Sequence, residues 1–352
     1  MLDAMSRSLE IGQPVDIHRE RAAVVRRSIR DVTRGEEGEM KSGFTFTPAD
    51  FCPVKDRELL ERLARMTPKE IEQHPNPEVR IKILDHAGAV VLAEKFVRIK
   101  ESSDQNKKFS TIFGNPNPDS HMALAEMINV NRVSCRNCVF ITMDEWADEE
   151  GNIAPITYRA GFTYSFLKYF IDKIDPELRP LPQNIIHPTT ENIRHYSDLI
   201  DEKTDGGIDY FTSGPGWAGH IAFIDPSPEF TEVSSIEEYL QQTGRIVTLH
   251  PLTIAQNSLH GVFGCSGNVG NVPPKAATIG PRDVLHARMR VECHGLTTMG
   301  TFSSWQRMTS RLITHGPVTP MVPGSIYQVL PCRIYVTPKI AEPIECLETT
   351  GY

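Results

Sequence analysis

From Glu78 to Lys100, the apolar positions Val79, Ile83, Ala87, Val90, Val91, Ala93 and Val97 form an extended stripe that predicts one long helix. The pattern then changes to short apolar runs separated by helical stretches. Phe109–Phe113, Cys138–Met143, Ile208–Phe211, Arg245–Leu249, Ala276–Ile279, Met289–Cys293 and Arg333–Val336 read as strands. Between them, Ser120–Ile128, Arg159–Ile174, Ile193–Ile200, Pro281–Ala287 and Ser304–His315 read as helices. Alternation of this kind predicts an α/β fold: a Rossmann-like, doubly wound, mostly parallel sheet flanked by helices. Ahead of it, residues 14–34 have a modest amphipathic pattern, residues 35–53 a polar linker, and Arg57–Met66 another helical one. Residues 1–77 are therefore expected to be a helical N-terminal extension, and 78–352 the α/β domain.

Composition narrows the function classes. The 352 residues are 39% hydrophobic and 23% charged, with a net charge of −8 and a pI near 5.9. Such a balance offers no general attraction to nucleic acid or to an anionic membrane. No run of about eighteen apolar residues exists to cross a bilayer, and the first twenty residues lack a secretory apolar core. Seven scattered cysteines suit reduced thiols in a cytoplasm. Cys135-Arg-Asn-Cys138 has no second pair to complete a four-ligand zinc site, so neither metal nor cofactor is expected. A small molecule is the expected partner.

The segment Gly214-Pro-Gly-Trp-Ala-Gly-His-Ile-Ala-Phe-Ile-Asp-Pro226 carries the most chemistry. It places His220 in a glycine-rich bend directly after a strand, where Gly214, Gly216 and Gly219 permit positive φ and close approach of a ligand. In an open α/β sheet, side chains at strand ends face the ligand crevice. Asp225, five residues on, could fold back to orient the imidazole. The alternative is a histidine that merely ties down a loop. Asp144 and Glu145 also follow an apolar strand, and a shielded carboxylate there would have its pKa raised toward the range of a general base. Their alternative is a pair of ordinary acidic loop residues. Gly114-Asn-Pro-Asn-Pro118 joins a strand to a helix, a common anion site, but Pro116 and Pro118 lack amide donors and Asp119 adds negative charge.

Four segments in order resemble the glucosamine-6-phosphate deaminase/isomerase family, whose relatives include 6-phosphogluconolactonases. They are Met143-Asp-Glu-Trp146, Gly207 to Pro226, Thr253 to Ser258, and Val272-Pro-Pro-Lys-Ala-Ala-Thr-Ile-Gly280. The resemblance implies proton transfer between C1 and C2 of an open-chain sugar by Asp144, ring opening assisted by His220, and Asp225 as its orienter. It also implies substrate contacts from Gly114, Asn115, Asn117, Glu145, Gly216, Gly219, Asn257, Ser258 and Arg307, and a possible homo-oligomer. The family's acidic residue two before the histidine is Ala218 here, its phosphate-binding arginine is Leu259, and its later lysine falls at Gln306. An altered or unphosphorylated sugar is thus expected. A sugar lactonase and an inactive sugar-binding sensor are the alternatives.

Overall fold

The structure, a computed structural model, describes residues 46–114, 117–295 and 304–345. The helix expected at residues 14–34 lies outside them. The compact unit that carries the site begins at Asp50. Its first helix, α1 (Arg57–Arg65), starts where the Asp56 carboxylate accepts the Leu59 amide, a donor the helix itself cannot satisfy.

The long helix expected from Glu78 is instead two elements. Val79–Ile83 form strand β1, and helix α2 begins only at Ala87 and runs to Gln105. Val79-Arg80-Ile81-Lys82 alternates with a period of two: Val79 and Ile81 are buried while Arg80 and Lys82 are exposed. The stripe read across both segments merged a strand with a helix, because β-branched residues fit either period over so short a run.

The chain continues through β2 (Phe109–Phe113), α3 (Pro118–Val130), β3 (Cys138–Thr142), β4 (Asp144–Ala147), α4 (Phe162–Tyr169), β5 (Ile185–Ile186), α5 (Tyr196–Lys203) and β6 (Phe211–Ser213). Then come β7 (Arg245–Thr248), α6 (Pro251–Asn257), β8 (Lys275–Thr278), α7 (Pro281–His286), β9 (Arg290–His294), α8 (Gln306–His315) and β10 (Cys332–Val336). Strands β1, β10, β9 and β6 pair in that order and in parallel, as do β2, β3 and β5. A parallel bridge between Thr111 and Tyr210 joins β2 to the residue before β6. The order across the sheet is therefore β1-β10-β9-β6-β2-β3-β5, the mixed α/β, mostly parallel arrangement expected. From β2 the chain moves outward through β3 and β5, then crosses back to β6 on the other side of β2. Such a reversal opens a crevice at the carboxyl ends of the strands. Every residue of β2 and β3 is buried, as in sheets covered on both faces. A small antiparallel sheet, β4-β8-β7, extends from the end of β3. Among the described residues, no helix is long and apolar enough to cross a membrane.

Helix α8 packs against α1 and is tied to the segment Ile340–Glu342 by Arg311, which is 1% exposed. Its guanidinium donates to the carbonyls of Arg307, Ile340, Ala341 and Glu342, and more weakly to Met66 just after α1. Replacing it leaves buried carbonyls without donors. Arg311→Met is expected to lower unfolding free energy in urea by about 2–4 kcal/mol; an unchanged midpoint would show that the clamp adds nothing.

Candidate functional site

Asp144 and Glu145 are not loop residues: they begin β4, so their side chains leave on opposite faces. Glu145 does not reach the crevice. One of its oxygens accepts from the amides of Trp146 (2.8 Å) and Phe162 (3.1 Å), and the other from Thr163 (2.7 Å), at the first turn of α4. A helix start supplies unpaired amides and partial positive charge, which suits a buried carboxylate. In the structure Glu145, expected as a substrate contact, caps the start of α4.

Asp144, 4% exposed, faces a cavity of about 920 Å³ at the carboxyl ends of β2, β3, β6 and β9, and its Oδ1 has no hydrogen-bond partner. Burial, with the neighbouring Glu145 charge, holds its carboxyl well above the usual carboxylate range.

His220 lines the same cavity. Its Nδ1 lies 2.6 Å from Asp225 Oδ1 and 3.0 Å from the Thr253 hydroxyl, which itself donates to Asp225 Oδ1 at 2.8 Å. The other Asp225 oxygen accepts the His250 amide at 2.8 Å. A carboxylate against Nδ1 puts the proton there and leaves the Nε2 lone pair for the cavity. Two glycines make the bend possible. A Cβ on Gly216 would fall 1.8 Å from His220 Nε2, and Gly219 has φ +76° with Val322 packed against it.

Other expected contacts divide in two. Gly114, Asn117 and Asn257 line the cavity; the Asn257 amide donates to the Thr253 carbonyl, leaving its buried Oδ1 without a partner. Gly216 and Gly219 shape the bend without lining the cavity, and Asn115 lies outside the described residues. Ser258 and Arg307 do not line the cavity. The Ser258 hydroxyl donates to the Ala255 carbonyl, satisfied within its own helix end. Arg307 donates to the carbonyls of Glu342 and Pro343, next to the segment that Arg311 also grips, and Gln306 lines the wall instead.

Sequence reasoning missed Lys95, His121, Thr212, Ser213 and His260, all on the cavity wall. For Lys95 a signal existed. It stands four residues after Val91 and four before Ile99, a lysine on the buried side of α2.

No family model matches the chain. It is 30% identical over 196 residues to a glucosamine-6-phosphate deaminase of Dictyostelium discoideum, a stretch that covers 54% of this chain and 64% of that protein. A glucosamine-6-phosphate deaminase of Borreliella afzelii is 32% identical over 198 residues, covering 54% and 65% respectively. The chain thus spans a little less than two thirds of the length of these relatives. Among solved structures, a monomeric glucosamine-6-phosphate deaminase superposes with a TM-score of 0.58 at 18% identity, over 75% of this chain and 98% of that one. That likeness is one of fold.

Because a side chain at 216 collides with the imidazole, Gly216→Ala is expected to break the Asp225–His220 contact in a protein that still folds. The readout is the downfield proton resonance of a carboxylate-bonded imidazole N–H, present in the wild type and lost in the variant. An unchanged resonance would mean that the loop, not the histidine, gives way.

Proposed function

We propose, for a chain that is a divergent relative of the glucosamine-6-phosphate deaminase/isomerase family, that it is an aldose–ketose isomerase or amino-sugar deaminase acting on an open-chain sugar or sugar phosphate. Asp144 moves a proton between C1 and C2, and His220, oriented by Asp225, assists opening of the ring. One observation carries this reading: the Asp144 carboxyl and the His220 imidazole share the wall of a single sugar-sized cavity.

The chemistry suits the groups. A proton beside a carbonyl is weakly acidic, so its base needs a free lone pair and high proton affinity, and the unpartnered Oδ1 of a buried carboxyl offers both. Ring opening needs a proton taken from one sugar oxygen and given to another, which suits an imidazole with one nitrogen held by a carboxylate and the other free to exchange. The product of proton removal is an enediol, or an enolamine when C2 bears an amine; reprotonation at C1 then gives a ketose, or an imine that water hydrolyses to ketose and ammonia. The division at residue 77, homo-oligomer assembly and a cytoplasmic location belong to the same proposal; the six described cysteines, all unpaired, favour the last. The His220–Asp225 pair taken alone favours a second reading, lactone hydrolysis by activated water.

Solvent deuterium separates the two. Incorporation at C1 or C2 of the sugar is expected in the wild type, whereas lactone hydrolysis without incorporation would select the second reading. Asp144→Asn should lower the exchange rate by about 10²–10⁴-fold. Its fold should survive, because a carboxyl whose pKa is raised on folding costs stability as pH rises above its unfolded value, and an amide escapes that cost. Full exchange in this variant would remove Asp144 from the mechanism.

Asp144 accepts a proton only when ionised. With its pKa raised, kcat/KM should fall on acidification well before the ordinary carboxylate range near about pH 4 is reached. A rate that stays flat down to that range would contradict a buried base.

A further inference from the structure

The proposed proton transfers leave unused a polar cluster that backs the cavity wall. Ser213 ends β6 and lines the cavity. Its hydroxyl touches two groups at once, Oε2 of Glu292 on β9 and the Tyr327 hydroxyl, the latter at 2.7 Å. Ser213 stands opposite Glu292 in the parallel pairing of β6 with β9, so both side chains leave the sheet on one face. Glu292 and Tyr327 are each 0% exposed.

The surroundings of Glu292 decide where its proton goes. Among the described residues, the titratable groups around it are Tyr327 from the segment Pro323–Val329, Cys332 from β10, and Cys293 and His294 from its own strand. None is a standing positive charge. Arg290, two residues back on the same face, gives its guanidinium to the carbonyls of Val284, Leu285 and Pro331, and Arg307 and Arg311 of α8 give theirs to carbonyls further off. The His294 Nε2 lies 3.8 Å from Glu292 Oε1, beyond hydrogen-bond reach, and both atoms are buried without a partner. Burial pushes Glu292 up to about 8 and His294 down to about 3, so acid and imidazole are both uncharged at neutral pH. A protonated carboxyl has a hydrogen of its own to give; it donates to Ser213 and leaves the Ser213 hydrogen for the cavity. An ionised one only accepts, and draws that hydrogen back.

We infer that Ser213 is a further ligand-contacting residue, whose hydroxyl donates to a sugar oxygen, and that Glu292 and Tyr327 are the positioning residues that aim it. The inference rests on the proposed function only for the identity of that oxygen, the carbonyl at C1 or C2 on which negative charge develops as the neighbouring proton leaves. A donor fixed in advance at that point favours the transition state over the bound sugar.

The full-length wild type, Glu292→Gln and Ser213→Ala test it. With carbon-13 in the glutamate side-chain carboxyls, one wild-type resonance should titrate near pH 8 and be missing from Glu292→Gln. A wild type whose glutamates all titrate in the ordinary range overturns the inference. Solvent deuterium exchange into fructose and fructose 6-phosphate then reads the hydroxyl. In the wild type kcat/KM should fall as pH rises through the Glu292 titration, and in Glu292→Gln, whose amide donates at every pH, that fall should disappear. Ser213→Ala should lose the fall as well, and at neutral pH its kcat/KM should be lower by about 10-fold or more. Lys95, whose ammonium donates to Thr212 on the other face of β6, titrates near 7 in all three proteins, so the difference between them isolates Glu292. An alkaline fall identical in all three overturns the inference. Where neither sugar exchanges, calorimetric binding of fructose 6-phosphate below and above the same titration makes the comparison. Affinity that weakens with pH in the wild type alone keeps the inference and rejects the isomerase reading, whereas equal pH dependence or no binding overturns it. Glu292→Gln should melt at or above the wild-type temperature at alkaline pH, because a carboxyl whose pKa is raised on folding costs stability as pH climbs through that value. Should it not fold, Ser213→Ala carries the comparison.

Discussion

Two adjacent carboxylates, Asp144 and Glu145, are both withdrawn from water, and the two-residue period of β4 assigns them different surroundings. Glu145 meets its neighbour's amide and those at the start of α4, which offset part of its burial, although its pKa is still raised. Asp144 meets only the cavity, so its proton affinity rises. The difference would vanish if the segment were a flexible loop, because both side chains could then turn to solvent. Pairing with β8, where Asp144 stands opposite Thr278 and Glu145 opposite Ala277, fixes which carboxylate faces which way. Two residues on, Trp146 leaves β4 on the same face as Asp144, packs against Phe162 and Phe223 and donates its indole N–H to the Ala160 carbonyl, which closes that side against water.

The sheet sets where this face points. Between β2 and β6 only a single bridge continues the ladder, because the chain reverses its order there. Elements that leave those strands diverge, and polar side chains occupy the gap: Lys95 from α2, Thr212 from β6, and Asn117 and His121 from the start of α3. The proton-moving groups approach from β4 and the bend after β6. One geometric feature of the sheet thereby gathers residues from four distant parts of the chain, on elements too well buried to drift apart.

How much of this was legible in the sequence depended on the range of the interaction concerned. Strands β2, β3, β9 and β10 announced themselves, since a buried parallel strand is a short apolar run. Val79–Ile83 did not, because only the short turn at Asp85-His86 parts its alternation from the apolar stripe of α2, and pairing with β10 is what separates the two. His220 and Asp144 were legible as polar residues following apolar strands, with glycines marking the bend. The partners of Glu145 and Arg307 were not legible, because the α4 amides and the carbonyls of Glu342 and Pro343 lie 17 and 35 or more positions away. Lys95 failed for a subtler reason. A lysine in an apolar stripe usually bends its ammonium out to solvent, and nothing local tells that the Ile112 carbonyl and the Thr212 hydroxyl wait above it.

The imidazole shows why a residue count can mislead about a site. The family resemblance places a second acid two positions before His220, where this chain has the buried Ala218, and it shortens the later Glu to Asp225. Both changes would weaken a histidine held by flexible carboxylates. Here the chain folds back tightly after His220: Ala222 takes a positive φ of 52°, Ile221 bridges Ile224, and the Asp225 amide donates to the Phe223 carbonyl at 2.7 Å. That curl brings the shorter carboxylate to 2.6 Å from Nδ1, while the Thr253 hydroxyl occupies the remaining side. Asp225 is itself fixed by two further donors, the same Thr253 hydroxyl and the His250 amide. One rigid carboxylate held from three sides orients a ring better than two mobile ones, because little rotamer freedom is left to lose. Alanine at 218 therefore leaves the orientation of the histidine intact, because Asp225, the Thr253 hydroxyl and the His250 amide supply it without a second acid.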